Sequence, residues 1–411
     1  MKYSPEEVIQ YVLEEDVKFI RLAFCDVFGK QKNVSIMPSE LSRVFKYGAA
    51  IDASAIAGFG DVVHSDLFLH PNTDTLTVLP WRPEHGRVVR MFCDITYPDG
   101  TPFTCDPRRI LKEAIAAAKA AGYTFSFGTE MEFYLFKLDE NGEPTRIPYD
   151  NAGYMDLAPE DRCENIRREI CLTLEQMGIQ PESSHHEDGP GQNEIDFHFS
   201  EDALEAADNA VNFISVAKAI ASGNGLWAEF SPKPLENAPG NGLHVNISAS
   251  AVDGSADEEL LPYLSAGILN RISEITAFLN PSKESYERFG LCKAPKYISW
   301  SKENRSQLIR VPAAEDIYKR VELRSPDATM NFHIAFALLI YAGLEGITGK
   351  MELPSSADLN LFTTDQETLS AFRRLPVSLD EAIAAAKSST FIKEHLPQSI
   401  IDEYCCKKTL S

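Results

Sequence analysis

The sequence lacks the features of several common protein classes. It has no apolar run long enough to span a bilayer and no N-terminal signal peptide. It has no Walker-type Gly-x-x-x-x-Gly-Lys motif, so any bound nucleotide must be held in another way. Its eight cysteines are scattered without zinc-type spacing, and a chain of 411 residues needs no disulfide staple. These absences predict a protein of the reducing cytoplasm.

Positive charge is also scarce. The chain has 39 Lys and Arg against 61 Asp and Glu, a formal net charge of −22. Such an excess of negative charge disfavours nucleic acid or an anionic membrane as a partner and is compatible with acidic clusters that bind metal. The length predicts more than one domain. The pattern of apolar residues changes near residue 103, which predicts a small α+β domain over 1–102 and a larger one over 103–411.

The stretch Phe127–Tyr134 places an acidic pair inside an aromatic strand pattern. Side chains alternate along a strand, so Glu130 and Glu132 point to the same face. Two like charges so close repel each other unless a cation lies beside them, and Mg²⁺ or Mn²⁺ is the usual cation for clustered carboxylates. The alternative is an ordinary solvated strand face.

Two later segments carry similar polar faces. Glu187 and Glu194 lie on either side of a turn built from Gly189, Pro190 and Gly191. A strand then follows on which Glu194, Asp196 and His198 share a face. A further strand presents His244, Asn246 and Ser248. A lone histidine is more often structural than a ligand, but the paired carboxylates elsewhere favour a ligand role for His244.

Arginines dominate the next segment: Arg288, Arg305, Arg310, Arg320 and Arg324. Strand alternation puts Arg320, Glu322 and Arg324 on one face. Guanidinium groups hold phosphate and carboxylate in a bidentate manner. Arginines interleaved with strand-borne acids therefore indicate a site where metal and polyanion meet, as in phosphoryl transfer.

Taken in order, these motifs resemble the type I glutamine synthetases over almost the whole chain. The hairpin at 18–36 is similar to that family's N-terminal β-grasp domain. The other matching segments are Gly128–Phe133, His185–Glu194, Asn241–Asn246, Asn304–Pro312 and Arg320–Ser325. The resemblance implies an α+β fold, with a β-grasp domain followed by a catalytic domain whose antiparallel strands form half-barrel active sites between subunits.

The resemblance also implies two or more Mg²⁺ or Mn²⁺ ions per active site, with ATP as co-substrate. One metal site would use Glu132, Glu187 and Glu194, and the other Glu130, His244 and Glu322. Residues near the nucleotide would be Glu182, Asn246, Ser248, Arg310 and Arg320.

Further roles follow from the same resemblance. Arg288 and Gly240 would bind the substrate glutamate, and Arg305, Arg310 and Arg324 would act on phosphate and the reacting carboxyl group. Tyr154 and Asp52 would line the ammonium pocket. Asp52 would come from the neighbouring subunit, so the protein would be a homo-oligomer, a hexameric ring or a dodecamer of two rings.

Four departures from the family pattern stand out. Lys293 replaces a flap glutamate that attracts and deprotonates ammonium, and a protonated lysine would repel a cation by about 1–4 kcal/mol at close range. Pro239 replaces an asparagine that contacts glutamate, and Ala53 and Ala55 replace a glycine and a serine of the ammonium pocket. We therefore expect the metal machinery to be intact and the amine pocket altered.

The other two departures concern regulation and assembly. Phe362 stands where some members are adenylylated on tyrosine, and it has no hydroxyl to modify. The chain ends at Ser411, soon after Cys405 and Cys406, so the C-terminal extension that grips the opposite ring is expected to be short. This predicts weak contact between rings, and single hexamers.

The leading hypothesis is a ligase that makes glutamine from glutamate, ammonium and ATP through a γ-glutamyl phosphate. Two alternatives remain. The first is a γ-glutamyl-amine ligase that uses an organic amine, and the second is a catalytically weak member that acts in metabolite binding or regulation. The sequence alone does not decide the amine, the preferred metal or feedback inhibition.

Overall fold

The computed structural model describes residues 3–60, 62–82, 85–255 and 257–405. The predicted short C-terminal extension, with Cys406 and Ser411, lies outside these ranges. Eleven α-helices are described: α1 Pro5–Glu14, α2 Leu41–Tyr47, α3 Pro107–Ala120, α4 Glu164–Gln176, α5 Ala203–Gly223, α6 Leu260–Leu279, α7 Phe332–Thr348, α8 Gln366–Leu369, α9 Leu379–Ser388, α10 Thr390–His395 and α11 Gln398–Tyr404.

The described residues also form fifteen strands in two sheets. Those of the first sheet are β1 Val17–Cys25, β2 Gln31–Ile36, β3 Ala49–Asp52, β4 Asp66–Pro71, β5 Thr77–Val78 and β6 Arg87–Thr96. Those of the second are β7 Tyr123–Leu138, β8 Pro144–Pro148, β9 Pro181–His186, β10 Gln192–Phe197, β11 Leu226–Glu229, β12 Leu243–Ala251, β13 Trp300–Lys302, β14 Ile309–Val311 and β15 Val321–Leu323.

The first sheet belongs to the N-terminal part of the chain. Its strand order is β2-β1-β6-β4-β3, with β5 on β6, and β1 runs antiparallel to β2 but parallel to β6. The sequence Ser4-Pro5-Glu6-Glu7 predicts a capped helix start, and α1 begins there: the Ser4 side chain accepts from the Glu7 amide while Glu7 accepts from the Ser4 amide at 2.7 Å. The proposed boundary near residue 102 falls between the two sheets and stays a prediction.

The second sheet is built around β7. Its order is β13-β14-β15-β12-β7-β10-β9, and β8 and β11 also pair with β7. Its pairings are antiparallel apart from β13 with β14, and they extend the polar strand faces side by side. Helices α3, α5, α6 and α7 pack together behind it, and α7 is buried along most of its length. The predicted α+β class is confirmed.

A buried ion pair links three of these helices. The guanidinium of Arg108 on α3 donates to both carboxylate oxygens of Asp208 on α5, at 3.0 and 2.8 Å. His333 on α7 lies 2.9 Å from the same carboxylate. Because all three side chains are buried, this contact fixes how the helices sit against one another.

One predicted helix is shorter than its sequence pattern suggested. The pattern indicates a helix from about residue 159 to 177, whereas α4 begins at Glu164. The carboxylate of Asp161 accepts from the Cys163 amide at 2.9 Å and pairs with Arg167 at 2.6 Å. Asp161 thus holds the preceding residues in a turn, as Asp side chains often do.

Two properties of the described residues bear on the expected compartment. None of the described helices has both the length and the apolar character that crossing a bilayer requires. The seven cysteines in the described ranges are all free thiols.

Candidate active site

The centre of β7 carries the predicted acidic pair, and strand register determines its neighbours. On β12, His244 lies opposite Glu130. On β10, Glu194 lies opposite Glu132 and Asp196 lies opposite Glu130. Antiparallel pairing therefore gathers, on one face of the sheet, side chains that are far apart in the sequence.

The set predicted for one metal site is brought together as expected. The possible ligand atoms of Glu130, His244 and Glu322 lie within 4.8 Å of one another. His244 Nδ1 is 2.9 Å from Glu130 Oε2 and 3.6 Å from Glu322 Oε1. Carboxylate oxygens with one imidazole nitrogen suit Mg²⁺ or Mn²⁺, so these residues fit the implied ion.

The second predicted set is only partly brought together, and a residue missed from sequence joins it. Glu187 and Glu194 form a group with His185, whose ring nitrogens are each 3.7 Å from a carboxylate oxygen. Glu132 lines the same cavity, but its Oε2 accepts from Gln192 Nε2 at 3.0 Å and from the Gly242 amide at 2.8 Å. His185 joins the group because it lies opposite Glu194 across the β9–β10 hairpin, a register that side-chain alternation alone does not reveal.

Burial makes these carboxylates electrostatically unequal. Burial raises the pKa of Glu194 well above its ordinary value, helped by the charges of Glu132 and Asp196. Burial likewise raises the pKa of Glu132. It would also raise that of Glu130, but hydrogen bonds from His244 and Asn246 lower the pKa of Glu130 overall to about 2. A divalent cation would relieve the like-charge repulsion among these groups.

Two of the five predicted arginines contact the Glu322 carboxylate, and a third contacts the backbone that follows Arg324. Arg310 and Arg324 both donate to the buried carboxylate of Glu322. Arg288 donates to the backbone carbonyls of Ser325 and Pro326, at 2.7 and 3.1 Å. The Nε atoms of Arg288, Arg310 and Arg324 are buried without a hydrogen-bond partner. Buried donors without a hydrogen-bond partner are suited to binding an anion.

These groups, apart from the fully buried Glu322, line one cavity of about 460 Å³, called here the main cavity. Its walls include Tyr154, Gly240, Lys293, Arg305 and Arg320 together with the other candidate metal ligands. A smaller cleft beside it is lined by Glu182, Asn246, Ser248 and Arg320. Arg320 borders both spaces and donates to Asn246 at 2.9 Å. Four of the five residues expected near the nucleotide therefore lie next to one another in this cleft.

Gly240 is required by the backbone's close approach to Arg288. A Cβ at this position would lie 2.4 Å from the Pro232 carbonyl oxygen and 2.6 Å from Arg288 Cγ. Such distances are impossible without displacement of the arginine. Next to it, Pro239 directs its carbonyl to Tyr134, whose hydroxyl donates to it at 2.7 Å.

Lys293 lines the main cavity and forms an ion pair with Asp188 there. Its Nζ is 2.7 Å from Asp188 Oδ2 and 5.2 Å from the ring centroid of Tyr154. Burial lowers the pKa of Lys293, but Asp188 and Glu187 outweigh it and the pKa is raised overall, so the lysine stays protonated. Sequence reasoning identified the lysine but missed Asp188, which neutralises much of its charge.

Asp52 lies apart from these groups within a single chain. It ends β3, is exposed, and accepts from the Ser54 amide at 2.9 Å. Neither Asp52 nor the exposed Ala55 is among the residues that line the main cavity. The expectation that Asp52 serves a neighbouring subunit stays a prediction.

Comparison with known proteins agrees with this geometry. Residues 16–98 match the family model "Glutamine synthetase, beta-Grasp domain", and residues 104–410 match "Glutamine synthetase, catalytic domain". Glutamine synthetase of Clostridium saccharobutylicum is 44% identical over 99% of this chain and 94% of its own length. That of Methanosarcina mazei is 43% identical with the same coverage.

Solved structures of GmaS are similar throughout. An ADP complex of GmaS superposes with a TM-score of 0.86 at 25% identity, covering 96% of this chain and 93% of that chain. A ligand-free GmaS gives the same TM-score at 26% identity, covering 97% and 93%. The predicted β-grasp and catalytic folds are confirmed. With both family models matched and relatives above 40% identity over nearly the full length, the chain belongs to the glutamine synthetase family and is a ligase.

Proposed function

We propose that this ligase joins ammonium to the γ-carboxyl group of L-glutamate, with ATP as phosphoryl donor and Mg²⁺ or Mn²⁺ as cofactor. The observation that carries the proposal is the position of Glu322. Its carboxylate faces His244 on one side and accepts from Arg310 and Arg324 on the other. Glu322 thus links the candidate metal ligands to the phosphate-binding arginines, as phosphoryl transfer to a carboxylate requires.

The proposed reaction has two steps. A γ-carboxylate oxygen of glutamate attacks the γ-phosphorus of ATP, and the bond to ADP breaks. The amine nitrogen then attacks the acyl carbon, and phosphate leaves as the amide forms. The bound cations would neutralise negative charge between nucleotide and carboxylate. Arg310, Arg324 and Arg305 would stabilise charge on the transferring phosphoryl group.

The remaining predicted residues would position the reactants. Arg288, supported by the Gly240 loop, would bind the glutamate α-carboxylate. Glu182, Asn246, Ser248 and Arg320 would hold the nucleotide in the adjoining cleft. Tyr154 lines the main cavity beside Lys293 and would border the amine pocket.

A second candidate function is a γ-glutamyl-amine ligase. Lys293 stands beside the expected amine pocket, where a positive charge disfavours a small cation. The similar solved structures are those of GmaS, a γ-glutamylmethylamide synthetase by name. Against this candidate, Asp188 compensates Lys293, so we favour ammonium.

We also propose a cytoplasmic homo-oligomer, a hexameric ring or a dodecamer of two rings, in which Asp52 of one subunit completes the neighbour's amine pocket and accepts a proton from ammonium. Asp52 is exposed at a strand end, free to reach another chain. Mass photometry at nanomolar concentration should give hexamers or dodecamers. Monomers would contradict the proposal.

The function is tested by phosphate release from ATP with Mg²⁺ and glutamate, first with ammonium and then with a panel of primary amines. Products are identified by mass spectrometry. Rapid release with ammonium and formation of glutamine would support the leading proposal. Release only with an organic amine would select the second candidate. Binding of ATP and Mn²⁺ without turnover on any amine would indicate a regulatory or metabolite-binding member.

A further inference from the structure

Tyr134 connects the acidic strand β7 to the loop that is expected to bind glutamate. It lies two residues after Glu132 on the same face of the strand, and its side chain is fully buried. Its hydroxyl donates to the backbone carbonyl of Pro239 at 2.7 Å. Pro239 belongs to the connection between β11 and β12, and we call its residues 232–242 the 232–242 loop. One hydrogen bond therefore joins the strand that carries candidate metal ligands to this loop.

The surroundings of Tyr134 fix the position of its hydroxyl. A Cβ at Gly189 would lie 2.1 Å from Tyr134 Oη, so the backbone of that turn packs directly against the hydroxyl. The ring stacks on that of Phe136, with 5.5 Å between centroids and 11° between planes. Burial raises the pKa of Tyr134, so the hydroxyl keeps its proton and remains a donor at neutral pH. The contact with the Pro239 carbonyl is therefore a fixed part of the site.

Gln192 makes a second link to the same loop. It lies opposite Tyr134 on β10 and is 1% exposed. Its Nε2 donates to the Gly240 carbonyl at 3.1 Å and to Glu132 Oε2 at 3.0 Å, so it serves both the loop and a candidate metal ligand. The hydroxyl of Tyr134 lies 3.4 Å from Gln192 Oε1, and among the described residues it donates to no candidate metal ligand. Tyr134 is therefore the residue that can be changed without disturbing Glu132 directly.

The 232–242 loop packs against Arg288, which is expected to bind the α-carboxylate of glutamate. The backbone at Gly240 leaves no room for a Cβ beside the arginine side chain. Next to it, Asn241 is fully buried, and its Nδ2 donates to two backbone carbonyls, at 3.1 and 3.0 Å. Pro239 has no amide proton and no polar side chain to offer a substrate. The loop can therefore assist glutamate binding only if its backbone is held in place from behind.

We propose that Tyr134 is a positioning residue for the acid substrate: its hydroxyl holds the Pro239 carbonyl, and thereby the 232–242 loop, where glutamate meets Arg288. A small displacement of a group that positions a substrate weakens its binding. The inference rests on the proposed function, because it takes glutamate as the acid bound by Arg288. It applies to ammonium and to an organic amine alike, since both reactions use the same acid.

The test variant is Tyr134→Phe, which removes the hydroxyl and keeps the ring. Loss of the buried hydrogen bond should raise KM for glutamate about fivefold and leave kcat within about twofold of the wild type. KM for ATP should change less than about twofold, because Tyr134 is not among the residues of the nucleotide cleft. The dissociation constant for Mn²⁺, measured by calorimetry without substrates, should also stay the same. This pattern separates a positioning role from a general loss of structure.

Tyr404→Phe is the matched control. Tyr404 on α11 is fully buried, its hydroxyl donates to the Val27 carbonyl at 2.9 Å, and neither residue lines the main cavity. Each variant loses one buried hydrogen bond from a tyrosine to a backbone carbonyl, so both should lower the melting temperature slightly. Only Tyr134→Phe should change KM for glutamate.

Hydrogen–deuterium exchange of the substrate-free protein gives a readout that does not depend on turnover. In Tyr134→Phe, peptides that cover the 232–242 loop should exchange faster than in the wild type, because the backbone there has lost a contact. Peptides from the buried helix α7 should exchange at the wild-type rate in the same sample. Tyr404→Phe should leave exchange in the loop unchanged.

The outcomes distinguish this inference from the proposed function. A wild-type protein that turns over glutamate with neither ammonium nor any amine would overturn the proposed function. Faster exchange of the loop in Tyr134→Phe would then still support the contact, and unchanged exchange would overturn it. With an active wild type, a KM for glutamate in Tyr134→Phe equal to the wild-type value would overturn the positioning role. So would an equal rise of this KM in Tyr404→Phe.

Discussion

Lys293 and Asp188 form an ion pair at the edge of the main cavity, with 2.7 Å between Nζ and Oδ2. Both side chains are about half exposed, so the pair contributes little to folding, on the order of 0–1 kcal/mol. Its importance lies in the charge that an incoming amine meets. A protonated lysine that is already paired repels a cation less than an isolated one.

The first prediction concerns the charge at this edge. Lys293→Glu should lower KM for ammonium by about fivefold or more, because the sign of the local charge is reversed. The melting temperature should change little. Steady-state phosphate release over a range of ammonium concentrations measures the effect. Lys302→Glu, an exposed lysine on β13 outside the cavity, is the matched control. Equal KM values for ammonium in the two variants would show that Lys293 does not determine amine specificity.

The second prediction concerns the close approach behind Arg288. Gly240→Ala would place a Cβ 2.6 Å from Arg288 Cγ, so the arginine must move. We expect KM for glutamate to rise about tenfold or more and stability to fall by about 1–3 kcal/mol. Gly223→Ala is the control, because a Cβ at that end of α5 meets nothing within 4 Å. The proposal for Arg288 fails if glutamate binding in Gly240→Ala matches that in Gly223→Ala.

The third prediction concerns protons at the metal groups. Burial raises the pKa values of Glu132 and Glu194, and raises that of Asp196 to about 6, so these carboxyl groups retain protons at higher pH than usual. Metal ligands must be deprotonated, so Mg²⁺ or Mn²⁺ binding should release protons and strengthen as pH rises from 6 to 8. Calorimetry in two buffers with different ionisation heats counts the protons. Metal binding without proton release would contradict this view of the site.

The fourth prediction concerns the buried contact between helices. Asp208→Asn leaves the buried Arg108 with only its longer ion pair to Asp94, at 3.3 Å, and should destabilise the protein by about 3–5 kcal/mol. Glu40→Gln breaks an exposed ion pair instead and should cost about 0–1 kcal/mol. Urea denaturation followed by circular dichroism compares the two variants. Similar losses in both would show that burial of the Asp208 pair is unimportant.

The pH dependence of this effect has a definite sign. Burial raises the pKa of Asp208, but Arg108 and His333 outweigh it and lower the pKa overall. A depressed folded-state pKa stabilises the protein above the unfolded value of about 3.9, and this stabilisation is lost as pH falls below it. The stability difference between wild type and Asp208→Asn should therefore be full at pH 7 and should shrink below about pH 4.

Much of the site could be predicted because strands have a period of two. Alternation alone placed Glu130 with Glu132, and Arg324 with Glu322, on shared faces. It could not reveal which strands are neighbours, since pairing depends on the tertiary fold. The roles of His185 and Asp188 were missed for that reason: His185 meets Glu194 through the β9–β10 register, and Asp188 meets Lys293 across 105 residues.

The resemblance to a family supplied what periodicity could not. It grouped Glu130, His244 and Glu322, whose possible ligand atoms lie within 4.8 Å of one another. The resemblance could not predict how individual side chains pack against their neighbours. The start of α4 at Glu164 depends on the hydrogen bonds and the ion pair that the Asp161 carboxylate makes. These are properties of three-dimensional contact.

The length of β7 has a consequence for how this chain can be altered. This strand of 16 residues pairs with four others and carries Glu130 and Glu132 near its middle. One residue inserted between Tyr123 and Gly128 would turn both carboxylates to the opposite face, or shear the strand against its neighbours. The exposed turn from Asp139 to Glu143 bears no such constraint. A peptide tag or an inserted domain is therefore best accommodated there, and the turn is the natural place to open the chain for circular permutation.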